Sequence, residues 1–232
     1  IRVFNGGIGG DTAYDMNKRL DGDIFSKNPT VLMVTFGMND SGYYEYNGDN
    51  AKEFGEQKYQ ESIKNFQQME KRFKELPHTR IVMTGTSPYD ETAQIKDNTV
   101  FKKKNETIKR IIEYQRESAA RNGWEFTDWN APMVAINQEL QQKDPSFTLC
   151  GNDRIHPDND GHMVMAYLFL KAQGFAGKDV ANMEINANKK QAVKAEGCTI
   201  SNIKKIGKDI SFDYLAEALP YPLDTIARGW GS

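Results

Sequence analysis

Short apolar, β-branched runs alternate with longer stretches of helical periodicity over the first two thirds of the chain. Such alternation predicts βα units built on a parallel sheet. The strand candidates are residues 1–4, 31–37, 80–86 and 125–129. Between the second and third of these, Phe54, Tyr59, Ile63, Phe66, Met69, Phe73 and Leu76 recur mostly at three- and four-residue steps, with Lys and Glu between them. That spacing predicts an amphipathic helix covering one face of the sheet. A second helix is expected over residues 101–120 on Ile108, Ile111, Ile112 and Ala119, stopped by Asn122-Gly123. A third is expected over residues 161–173, with Asn159 or Asp160 as N-cap and Gly174 just past its end. Its stretch 163–170 is apolar nearly all round, which predicts a well-buried helix.

Beyond Phe175 the pattern changes to short, partly alternating runs at 183–187, 191–195, 199–203 and 209–214, punctuated by Asn, Gly and Lys. These predict a small β-rich appendage. The expected organisation is therefore one α/β domain over residues 1–175 and a β-rich extension over 176–232. The final stretch, with Pro220, Pro222 and two late glycines, predicts no regular element.

Composition narrows the function classes. The 232 residues are 38% hydrophobic and 27% charged, enough for one sizeable core. The net charge is −2 and the Lys/Arg residues are interspersed with Asp/Glu, so no footprint for nucleic acid or an anionic membrane is present. No apolar run reaches the ~20 residues a membrane helix needs. The chain begins at Ile1 without a Met, so the lack of a signal-peptide pattern carries no information. Cys150 and Cys198 match neither a zinc site nor a CxxC motif, and two unrelated buried thiols are expected.

Three short segments carry candidate chemistry. Asn5-Gly6-Gly7-Ile8-Gly9-Gly10-Asp11-Thr12 follows the first strand candidate and precedes a short helix-like stretch to Leu20. A glycine turn before a helix can present backbone N–H groups to an anion. It is not a dinucleotide fingerprint, because Thr12 stands at the third glycine position and no acidic residue ends a second strand about twenty residues on. It is not a Walker A loop, for want of Gly-Lys-Ser/Thr. Gly37-Met38-Asn39-Asp40 follows the second strand, where ligands of parallel sheets bind and a side-chain amide can donate to a substrate oxygen. In Asp153-Arg154-Ile155-His156-Pro157, Pro157 disfavours helix at His156, so a loop lets the carboxylate three residues back reach the imidazole. That contact fixes Nδ1–H toward Asp153 and leaves Nε2 free as a base. A metal site from His156, Asp158, Asp160 and His162 is the rival reading of this segment, though all four ligands come from one short stretch.

Taken in order, these segments resemble the second, third and fifth sequence blocks of the SGNH (GDSL-like) hydrolases, and the resemblance covers residues 1–175. It implies a three-layer α/β/α, flavodoxin-like parallel sheet and a serine esterase or acylhydrolase that needs no cofactor and no metal. It assigns the Gly10 backbone N–H and the Asn39 amide to an oxyanion hole, His156 to general base and acid, and Asp153 to orienting the imidazole. The family's first block, Gly-Asp-Ser, is nowhere in the chain; Ser41, Ser62, Ser87 and Ser118 do not follow Gly-Asp. The family's first strand is central in a sheet of order 2-1-3-4-5, so the resemblance implies that strand one and the nucleophile lie upstream of Ile1. The irregular C-terminus points to further residues beyond Ser232. Asp40, Tyr89 and the neighbouring residues 86–90, with Tyr43, Tyr44 and Tyr46, are the candidates for walling a substrate groove. Polar and aromatic loops there suit a small ester or an O-acyl carbohydrate better than a lipid. A non-catalytic carbohydrate or partner binder on the same fold, and a metal-dependent hydrolase, are the alternatives. Export from the cell is expected on the resemblance alone.

Overall fold

The structure, a computed structural model, describes residues 2–96 and 99–218. Its elements in chain order are α1 (Ala13–Arg19), β1 (Val31–Phe36), α2 (Ala51–Phe73), β2 (Arg80–Gly85), α3 (Lys104–Asn122), β3 (Glu125–Asp128), α4 (Asn130–Leu140), α5 (Asn159–Ala172), β4 (Asn182–Asn186), β5 (Gln191–Glu196), β6 (Cys198–Ile206) and β7 (Asp209–Ala216). Strands β1, β2 and β3 form a parallel sheet in that order. The register aligns Phe36 with Gly85 and Gly85 with Asp128, so the three carboxyl ends are level. Loops leaving that edge are the ones able to converge on a ligand.

The predicted helix over 54–76 is α2, and its periodicity does what the spacing dictates. Phe66, Met69 and Phe73 are buried in one cluster with Leu32, Val34 and Phe36 of β1 and Ile81 and Met83 of β2. Strand β2 is buried on both faces, as a central parallel strand is. Strand β1 alternates: Leu32, Val34 and Phe36 are inside, while Val31 and Met33 are each 48% exposed. Among the described residues β1 is an edge strand, with its outer row of backbone groups unpaired.

Four expectations are corrected. Ile1 lies outside the described residues, and residues 2–7 form no strand. No described strand lies beside them to complete their backbone hydrogen bonds, and Val3 and Phe4 are exposed. The second helix begins three residues late, at Lys104, because Phe101 turns into an aromatic cluster: its ring stacks on Tyr89, its N–H donates to the Tyr89 hydroxyl, and Lys103 takes a left-handed φ of 69°. The third helix is capped by Asp158, whose carboxylate accepts from the Gly161 N–H. It is also only partly buried, with Gly161 and Val164 inside but Tyr167 and Leu170 exposed, since its cluster with Trp129, Met133, Leu149 and Cys150 engages one side only. Helix α4, unforeseen, begins where the Asp128 carboxylate accepts from the N–H groups of Asn130 and Ala131.

The four apolar runs after Phe175 are strands, in two antiparallel pairs, β4 with β5 and β6 with β7. Residues 219–232, with Pro220 and Pro222, lie outside the described residues. Cys150 and Cys198 are both buried free thiols.

Candidate active site

The Asp153–His156 loop is built on a tight turn. Gly151 adopts φ 66°, and a Cβ there would stand 2.5 Å from the His156 carbonyl oxygen, so only glycine lets the chain fold back so closely. Arg154 also takes a left-handed φ, 68°. Its side chain is buried, with Nη1 donating to the carbonyls of Asp90 and Ala93, while its own carbonyl accepts from the Asp90 N–H. The loop is thus pinned to the segment that leaves β2. Asp153 Oδ1 accepts from the N–H groups of Ile155 and His156, and Oδ2 lies 2.5 Å from His156 Nδ1. Partial burial pushes the Asp153 carboxyl up, but the imidazole and the two backbone donors outweigh it and hold its pKa below the ordinary carboxylate value. The His156 side chain is 80% exposed, and Nε2 has no partner among the described residues.

The second half of the site is anchored on a buried carboxylate. Gly37, Met38, Asn39 and Asp40 leave the end of β1, and Asp40 ties this turn to the glycine-rich loop: its carboxylate accepts from the N–H groups of Ala13 and Gly37 and from the Ser62 hydroxyl. Burial raises its pKa against the pull of these donors. Asn39 Nδ2 donates to the Asp11 carbonyl at 3.0 Å, and Asn39 Oδ1 accepts from the Tyr43 hydroxyl at 2.5 Å. The Tyr43 bond fixes which side of the amide carries the N–H groups. Gly10, with φ 87°, precedes Asp11, so its exposed backbone lies one residue from the atom Asn39 contacts; its N–H donates to nothing among the described residues.

The two halves meet through Tyr43. Its ring meets Phe101 edge-on, in the cluster on which Met38 and Ile155 also pack. Burial, with the nearby charge of Asp153 next in size, pushes its pKa up to about 12, so its hydroxyl stays a donor at any ordinary pH. Gly10 with Asn39, and Asp153 with His156, are therefore brought together as pairs on neighbouring loops. Asp40 and Tyr89, nominated as substrate contacts, are buried side chains satisfied by protein groups: Tyr89 stacks on Phe101 and its hydroxyl accepts from the Phe101 N–H. Their placement makes them supports of the loops. Tyr46 is likewise buried, donating to the Ser41 carbonyl, whereas Tyr44 is exposed.

Of the serines that do not follow Gly-Asp, Ser41 is fully buried with its hydroxyl donating to the Met38 carbonyl, and Ser62 is buried and donates to Asp40. Among the described residues no three His, Cys, Asp or Glu side chains gather as a metal site requires. No helix of the described residues is long and apolar enough to cross a membrane.

Two residues of this region were not foreseen. Lys104 is completely buried, with Nζ donating to the Met38 carbonyl, the Ser41 hydroxyl and the Gly42 carbonyl and lying 3.8 Å from the Tyr43 ring centre. Burial pushes its pKa down to about 7, against the opposing charges of Asp40 and Glu91. In sequence it is the last of three lysines, 102–104, a run that reads as a solvated surface. Arg154 was likewise hidden, because a lone arginine between Asp and Ile carries no sign of burial.

An Asp–His pair and a glycine/asparagine turn thus stand on loops beside the carboxyl edge of a parallel sheet. The sequence matches the profile of the GDSL-like lipase/acylhydrolase family over residues 1–164, and the chain belongs to that family. It is an ester hydrolase of the GDSL/SGNH type. An acetylxylan esterase of Geobacillus stearothermophilus is 25% identical over 176 residues, which are 75% of this chain and 73% of that relative. A crystal structure of an acetylxylan esterase from the same organism superposes with a TM-score of 0.54 at 23% identity, covering 73% of this chain and 70% of the other. A second acetyl xylan esterase structure gives 0.53 at 22% identity, over 72% and 78% of the two chains. These likenesses show the SGNH hydrolase fold. Solved catalytic mutants of the Geobacillus enzyme replace a serine, an aspartate, and the histidine three positions after that aspartate.

Proposed function

We propose that this protein removes an acyl group, most simply acetyl, from a carbohydrate hydroxyl by serine-ester chemistry. The observation that carries the reading is the Asp153–His156 contact at 2.5 Å, made by residues three positions apart, as are the aspartate and histidine replaced in the catalytic mutants of the acetylxylan esterase. His156 Nε2 takes the proton of an attacking serine and returns it to the sugar oxygen as the alcohol leaves, then repeats the cycle with water. Asp153 holds the Nδ1–H tautomer and offsets the charge the ring acquires. The Gly10 N–H and an Asn39 amide N–H donate to the tetrahedral oxyanion, a service whose loss typically costs 10²–10³ in rate.

The nucleophile in this reading is a serine outside residues 1–232, presented at the carboxyl end of a strand laid along the open edge of β1. The unpaired edge and the half-exposed Val31 and Met33 support that placement. The test is acetate release from acetylated xylo-oligosaccharides by the natural full-length protein, with a fluorophosphonate probe and peptide mapping to locate the reactive serine. Acetate release that persists in His156→Ala, or a label on Ser41 or Ser87, overturns the assignment.

A further inference from the structure

We propose that Lys104 and Tyr43 form a positioning strut for Asn39, aiming its amide N–H groups at the reaction centre; the inference rests on the reading of Asn39 as an oxyanion donor. Asn39 stands in a turn that must keep its geometry while a negative charge appears beside it. The Lys104 ammonium reaches into this turn from α3 and binds oxygen atoms on both sides of Asn39, at Met38 before it and at Ser41 and Gly42 after it. The same ammonium underlies the Tyr43 ring, whose hydroxyl grips Asn39 Oδ1. One buried cation therefore fixes the backbone around the amide and the phenol that sets its orientation.

A buried lysine with no carboxylate bonded to it is costly, and a purely structural site is served as well by an apolar side chain. Three oxygen acceptors arranged around one Nζ account for retaining the charge here, because only a three-donor group satisfies them together. Asp40 and Glu91 add charge that favours the cation, and the Tyr89 ring lies beyond it at 5.9 Å. The ammonium touches no reacting atom, so its effect on chemistry passes through Asn39.

The test is a set of double-mutant cycles on the full-length enzyme, reading kcat and KM for p-nitrophenyl acetate in wild type, Lys104→Met, Tyr43→Phe and Asn39→Ala, and in each of the first two substitutions combined with the third. Lys104→Met is expected to lower kcat about tenfold or more with little change in KM, since the lost interaction is one made in the transition state. Tyr43→Phe, which removes one hydroxyl from a half-exposed ring, is expected to cost several-fold in kcat. In the Asn39→Ala background both effects should largely vanish, because the residue they act through is gone. Equal effects with and without Asn39 overturn the strut and leave Lys104 a structural residue. If Lys104→Met does not fold, an unchanged kcat in Tyr43→Phe overturns it alone. Should Asn39→Ala itself leave kcat intact, the oxyanion assignment falls, an outcome distinct from additivity of the other two.

Discussion

The two halves of the site are held by opposite means. The turn at residues 37–43 is locked from below, through a buried carboxylate, a buried ammonium and a half-buried phenol, and it is bonded to Asp11, Ala13, Ser62 and Lys104. The loop carrying Asp153 and His156 stands largely in solvent, anchored by Arg154 and by its own turn, while the imidazole is free on one side. Under the proposed function, the difference follows from their tasks. An oxyanion hole works only where donors are already in place when charge develops, so its frame has to be rigid. A base that must take a proton, turn it toward a leaving group and then serve a water gains from an accessible ring held at one atom.

The sharpest way to break this contrast is His156→Ala. In the full-length enzyme kcat for an acetyl ester is expected to fall at least about 10³-fold, with Tm unchanged because the ring is exposed and makes one side-chain contact. A Tm loss of several degrees would show that the exposed half is structural after all. Asn39→Ala comes next, with an expected drop in kcat of about 10²–10³ and a small change in KM.

Asp40→Ala should separate the halves by stability. It strands the N–H groups of Ala13 and Gly37 and the Ser62 hydroxyl, for an expected loss of about 2–4 kcal/mol in chemical denaturation. Unaltered stability would refute the picture of a locked turn. The smallest effect concerns Asp153. Its folded pKa lies below the unfolded value, so its contribution to stability is present above the ordinary carboxylate pKa of 3.8 and is lost as pH falls through the lower folded value. The Tm difference between wild type and Asp153→Asn is therefore expected to persist at neutral pH and close in acid; a gap independent of pH would mean that the carboxylate charge plays no part in holding the loop.

Much of this frame was legible in the chain, and the residues show why the rest was not. Val31–Phe36, Arg80–Gly85 and Glu125–Asp128 are strands because apolar side chains recur where a covered parallel sheet wants them, and α2 because Phe66, Met69 and Phe73 share one helical face. The short runs after Phe175 alternate as half-exposed hairpins do. The start of the chain, to Phe4, reads as a strand by composition, yet a strand is made by its neighbours and none is there among the described residues. The all-apolar middle of α5 predicts burial, but burial belongs to what packs on a helix, and α5 keeps one side uncovered. Asn39, Asp153 and His156 could be nominated from the sequence because the strand before Asn39 and the three-residue spacing before Pro157 place them on loops. Lys104 and Arg154 did not: a buried cation is specified by the oxygens that surround it, and those come from elsewhere in the chain.

The open side of β1 has a further meaning for the life of this protein. Its sequence, Val-Leu-Met-Val-Thr-Phe, holds no charge and no proline, the two devices by which natural edge strands repel one another. Left bare, it is an adhesive seam along which newly made copies can stack. Under the proposed reading the strand that brings the serine is also the strand that seals this seam. A chain that fails to place it is then expected both to lack its nucleophile and to aggregate.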